Sequence, residues 1–133
     1  MIFDCLIPEL RQRFPDRGLE VTLAPAPRVV FPAIHPEVGN LVISDDGYEV
    51  TLEAGNFTHS HFSNYDEHLS EDQKGMRIAA DVAQFLEELF ADRIVLWGSH
   101  AGSGGWFPRC EQASPLFRSH GRLFVWSGPL LRG

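Results

Sequence analysis

Between Val29 and Gln73 the chain has no lysine and no arginine. The same stretch carries Glu37, Asp45, Asp46, Glu49, Glu53, Asp66, Glu67, Glu71 and Asp72, a charge of −9 against −7 for the whole chain. Residues 1–28 are balanced and residues 74–133 carry +2. Binding to a phosphate backbone requires clustered Lys and Arg that displace counterions, so a nucleic-acid role is not expected. A surface made from this segment would instead suit a protein partner of opposite charge.

Long apolar runs are missing too. None approaches the roughly 20 residues needed to span a bilayer, so no membrane segment is expected. The first residues, Met1 to Pro8, have no basic region, and Asp4 and Pro8 interrupt their apolar run. That is a poor secretory leader, and the expected location is cytoplasmic. Cysteine is scarce: Cys5 and Cys110 lie far apart with no C-x-x-C spacing, which reads as two ordinary reduced thiols. The Asn56-Phe57-Thr58 acceptor pattern has no meaning without secretion. A chain of 133 residues with 44% hydrophobic and 22% charged content is long enough to bury an ordinary core, so one domain over 1–133 is expected.

Several chemical signatures are absent as well. The glycine-rich segment Gly98-Ser99-His100-Ala101-Gly102-Ser103-Gly104-Gly105 is followed by Trp106, not by the Lys-Ser/Thr pair of a phosphate loop, and no dinucleotide fingerprint fits it. It reads as a loop that serves as a connection, a mobile partner-binding segment or an anion-binding nest. No G-x-S-x-G elbow is present, and Cys110 beside Arg109 is a lone thiol. No cofactor is expected.

The secondary-structure signals describe an α+β fold: a mostly antiparallel sheet, made of a β-meander plus two later strands, with one long helix across one face and a short N-terminal helix. The short helix is expected over Pro8–Phe14, with proline in its first turn. Strands follow at Leu19–Leu23 and Val29–Ile34, the latter placed at an edge or bulge by Pro32. Asn40–Ser44, Tyr48–Ala54 and Phe57–Ser63 form the meander, joined by two-residue turns at Asp46-Gly47 and Gly55-Asn56. Those turns pair Ile43 with Val50, Leu41 with Leu52, Leu52 with His59 and Val50 with His61. One face then carries Leu41, Ile43, Tyr48, Val50, Leu52, Ala54, Phe57, His59 and His61. Ser70–Phe90 is the long helix, opened by a Ser70/Gln73 capping box and striped by Ile78, Ala79, Val82, Phe85, Leu86 and Leu89. Arg93–Trp97 and Arg122–Trp126 supply the later strands.

Two functional readings follow. The first is a small non-catalytic binding protein whose acidic surface meets a basic protein partner, as inhibitor or immunity proteins do by analogy. Its candidate residues are Glu49, Glu53, Asp66 and Glu67, joined by Trp106 and Phe107 as exposed aromatics beside the glycine-rich loop. The second is a metal-binding protein or metal-dependent enzyme built on His59 and His61, with His100, His68 or Asp66 as further ligands. An H-x-H on a strand places both rings on one face, and zinc takes such nitrogens. On the register above, the long helix would approach both rings and partly desolvate them, favouring neutral imidazole.

Overall fold

The computed structural model describes residues 2–55, 57–98, 104–111 and 123–130. Its architecture is α+β, with two helices and two antiparallel sheets. The first sheet runs in chain order through β1 (Glu20–Thr22), β2 (Arg28–Phe31), β3 (Leu41–Asp45), β4 (Glu49–Ala54) and β5 (Thr58–Ser63). The second, in the order β7-β6-β8-β9, comprises β6 (Ile94–Gly98), β7 (Gly104–Pro108), β8 (Leu123–Val125) and β9 (Gly128–Pro129). The two later strands expected from sequence thus belong to a sheet of their own, joined by β7 and β9.

The long helix α2 (Glu71–Phe90) starts where its chemistry dictates. The Ser70 hydroxyl accepts from the Gln73 amide at 3.2 Å, while the Gln73 side chain accepts from the Ser70 amide at 2.9 Å. Its stripe from Gly75 to Phe90 is buried against the inner face of the meander, where Leu41, Ile43, Val50, Leu52 and Ala54 are inaccessible to water.

The first helix, α1 (Phe3–Arg13), is longer than expected, and Pro8 lies inside it rather than at its start. Phe3, Leu6 and Leu10 recur at helical spacing and are almost fully buried. Each contributes roughly 1.5–3 kcal/mol, which together outweighs the ~3 kcal/mol cost of an interior proline. Ile2 provides no side-chain cap. The Asp45 carboxylate at the end of β3 does so instead, accepting from the Phe3 amide at 3.0 Å and from the Gly47 amide at 2.8 Å. Where α1 crosses α2, a Cβ on Gly75 would come within 3.3 Å of the Cys5 sulfur, so this glycine permits the close approach.

Four strand assignments change. β2 is internal, between β1 and β3, because it ends at Phe31 and leaves Pro32 outside the ladder. In the β3–β4 hairpin Ile43 pairs with Leu52 and Leu41 with Ala54. That is a two-residue shift, which keeps the expected faces but puts Tyr48 in the turn, 83% exposed. In the β4–β5 hairpin Ala54 pairs with Thr58, so three residues intervene rather than two; Asn56 itself lies outside the described residues. This one-residue slip turns β5 over: Thr58, Ser60 and Phe62 share the inner face, and His59 and His61 the outer one. Phe62 anchors this register, packing edge-on to Phe85 of α2 at 5.9 Å.

The fourth change concerns the glycine-rich segment. Gly98 ends β6 and Gly104-Gly105 begin β7, with Gly98 paired to Gly104 and Trp97 to Gly105. A Cβ on Gly104 would fall 1.7 Å from the Phe57 carbonyl oxygen, one on Gly98 2.9 Å from the Phe57 ring, and one on Gly105 2.7 Å from the Trp97 ring. Close packing between the hairpins of the two sheets accounts for Gly98 and Gly104, and the Trp97 ring lying over its cross-strand partner accounts for Gly105. Residues 99–103, including Gly102, lie outside the described residues.

The second sheet contributes Ile94, Leu96, Phe124 and Trp126 to the main core, and Val95, Phe107, Leu123 and Val125 to a smaller cluster on its other side. Phe14, Phe31 and Phe90 meet edge to face at 5.1–6.0 Å, and Trp126 joins Phe90 at 5.3 Å, tying both helices to both sheets.

Candidate functional site

The outer face of the meander is not covered by either helix. Strand alternation places Arg28 of β2, Ser44 of β3, Glu49, Thr51 and Glu53 of β4, and His59 and His61 of β5 on it. Thr51 stands opposite His61, and Glu53 opposite His59. Both histidines are exposed. The expected desolvation by α2 does not arise, because the slip in β5 puts the rings on the face away from that helix.

His61 is held in place by β4. Its Nδ1 lies 3.1 Å from the Glu49 Oε1 and 3.1 Å from the Thr51 Oγ1. In the tautomer with its proton on Nδ1 the ring turns a donor towards the Glu49 carboxylate and keeps its lone pair on Nε2, and the Thr51 hydroxyl can donate to or accept from Nδ1 in either tautomer. The His59 and His61 rings stand 5.3 Å apart, nearly perpendicular. Among the described residues no group of three or more His, Cys, Asp or Glu side chains has the geometry to hold a metal ion. His68 is exposed beyond the sheet, with its amide donating to the Asp66 carboxylate at 2.9 Å. His100 lies outside the described residues.

The acidic candidates gather along this face and at one end of the sheet. Glu49 pairs with Ser63, so the β3–β4 turn and the segment leading to α2 leave the sheet at the same end. Asp46 and Tyr48 occupy that turn, and Tyr65, Asp66 and Glu67 that segment. A shallow groove there is lined by Asp4, Gly47, Glu71 and Asp72 among others. The Glu49 and Tyr48 amides donate to the Asp46 carboxylate at 2.7 and 3.0 Å and hold it below the usual carboxylate range, with His61 adding a smaller pull in the same direction.

The aromatic candidates are placed elsewhere. Phe107 is 2% exposed in the smaller core cluster and offers no surface. Trp106 is 39% exposed, but its indole N–H donates to the Ser60 hydroxyl at 3.1 Å and its ring packs on Phe85 at 5.0 Å, on the inner side of the sheet. The exposed aromatics at the acidic end are Tyr48 and Tyr65, at 83% and 76%. Sequence reasoning missed both. For Tyr48 the signal was its place directly after Asp46-Gly47; a hairpin turned one residue later puts it at the tip.

No helix among the described residues is long and apolar enough to cross a membrane. Compared with protein-family models, curated proteins and solved structures, the chain matches none.

Proposed function

We propose that the protein is a non-catalytic binding protein that presents the acidic end of its meander to a basic protein partner. One observation carries the reading: the cation-free segment folds so that Asp46, Glu49, Asp66 and Glu67 leave one end of the sheet together with two exposed tyrosines. Exposed aromatics among carboxylates suit a partner rich in arginine, whose guanidinium pairs with the acids and stacks on the rings. Glu53 extends the same charge along the outer face.

Such a surface would draw a basic partner in quickly, and the on-rate would fall as salt screens the attraction. The test is capture of partners from the source cells, followed by association kinetics of a captured partner over a range of salt. Wild type is compared with a variant carrying Glu49→Gln, Glu53→Gln, Asp66→Asn and Glu67→Gln, and with Tyr48→Ala/Tyr65→Ala. The expected result is a basic partner with a salt-dependent on-rate, lost in both variants. Equal capture of the same partners by all three proteins refutes the reading.

A further inference from the structure

We propose that His59 and His61 form a chelating site for a divalent transition-metal cation of the zinc, nickel or copper class on the open face of the meander. The site shares Glu49 and Glu53 with the partner-binding surface, but metal binding by the isolated protein tests it separately. The two residues are alternate positions of β5, so they share a face. Their rings are 5.3 Å apart. A zinc–nitrogen bond of about 2.0–2.1 Å puts a ring centroid about 3.2 Å from the metal, so two imidazoles on one tetrahedral ion have centroids about 5.2 Å apart. The observed centroid spacing is in the range that such a pair requires.

The surroundings fit as well. Metal-bound histidines usually donate their second ring N–H to a carboxylate, which fixes the tautomer and makes the ligating nitrogen more basic. Glu49 lies 3.1 Å from the His61 Nδ1, in place to accept from it in the tautomer that keeps Nε2 for the ion. Glu53, across the ladder from His59, adds a second negative charge next to the site. Two imidazoles without an oxygen cage select against calcium and magnesium, which want six or more oxygen ligands or octahedral oxygen and water. They favour zinc, nickel and, most strongly, copper. Because no third His, Cys, Asp or Glu converges on the pair among the described residues, water completes the coordination and the ion keeps open positions. A ligand from a partner could occupy one of them.

The experiment is calorimetric titration of tag-free full-length protein, with both thiols alkylated, with Zn2+ and then with Ni2+ and Cu2+. One equivalent of Zn2+ should bind. His59→Ala or His61→Ala should each weaken it at least tenfold, and the double variant should abolish it. Glu49→Gln should weaken it about tenfold by loosening the His61 ring. Both histidines are exposed, so the metal-free variants should melt with the wild type. If either alanine variant does not, His59→Asn and His61→Asn replace it. Absence of one-equivalent binding, or binding that survives in the double variant, overturns the proposal. So does a tenfold loss in neither single variant, since edge-to-face packing of the rings then suffices to explain their spacing.

Discussion

Replacing Gly104 with alanine tests how the two sheets are joined. The new Cβ would be built 1.7 Å from the Phe57 carbonyl oxygen, 2.8 Å from its carbon and 3.1 Å from the Trp97 carbonyl oxygen. Relief requires about 1.5 Å of separation between β7 and the β4–β5 hairpin, since ordinary carbon–oxygen contact begins above about 3 Å. Both obstacles are backbone atoms, so no rotamer change can remove them. Overpacking costs typically 1–3 kcal/mol and occasionally more, and this site belongs at the upper end, about 3 kcal/mol. For a domain of this size that lowers Tm by roughly 10 °C. Gly47→Ala is the control. Its Cβ meets nothing within 4 Å, and only its φ of +96° is unfavourable, at roughly 1–2 kcal/mol. Gly105→Ala should fall between them, because it presses on the Trp97 ring, which can shift. Urea unfolding of all three, with thermal melts alongside, gives the order. A Gly104→Ala protein within about 0.5 kcal/mol of wild type would show that β7 does not bed on Phe57, and the account of the glycine-rich segment would fail.

Other substitutions probe separate parts of the structure. Leu86 is inaccessible in the α2 stripe, so Leu86→Ala should cost roughly 2–5 kcal/mol in urea; an unchanged midpoint would mean α2 does not cover the meander. Asp92 adopts φ 60° and accepts from the Ser127 amide at 3.1 Å and from the Ser127 hydroxyl, linking the α2–β6 turn to β8–β9. Asp92→Ala should therefore cost about 1–2 kcal/mol, and Asp92→Asn less; equal stability of all three proteins would mean these bonds contribute nothing. Asp46 has its folded pKa below the usual carboxylate value, so its charged form contributes stability at neutral pH that is lost as pH falls through that lowered value. Asp46→Asn should melt below wild type at pH 7 and converge with it in the acid range, as Tm measured from pH 7 to pH 2 would reveal; a constant difference would contradict the assignment.

What was legible in the chain, and what was not, follows from where the information lies. Helix α2 announces itself through a local capping box and six apolar residues at one spacing. Strands β3 and β4 alternate strongly enough that a two-residue shift of their turn leaves every side chain on its expected face. β5 does not: Thr58-His59-Ser60-His61 is polar on both faces, so its orientation hung on turn length and on Phe62 alone. The extra loop residue reversed it and moved the histidines from the helix side to the open side. Strand β7 was hidden because its first glycine serves a contact with Phe57, a residue far away in sequence, and its second makes room for the Trp97 ring. The cap of α1 is equally remote, since Asp45 belongs to another element. The acidic segment was plain in the sequence, but its gathering at one end with Tyr48 and Tyr65 depends on the tertiary course of the chain.

The packing of α1 on α2 has a consequence for synthesis. Everything in the meander lies between the two helices, and each strand of that sheet pairs with its immediate predecessor. The sheet can close hairpin by hairpin as it leaves the ribosome, whereas α1 must wait for a partner that is translated after all five of these strands. At 5–20 residues per second that interval is on the order of 3–12 s. Throughout it Phe3, Leu6 and Leu10 present an apolar stripe of the kind chaperones hold. Nascent chains halted before Glu71 should be cut by protease within α1, and chains extended well past Phe90 should resist, so α2 acts as the latch that seals the earlier helix.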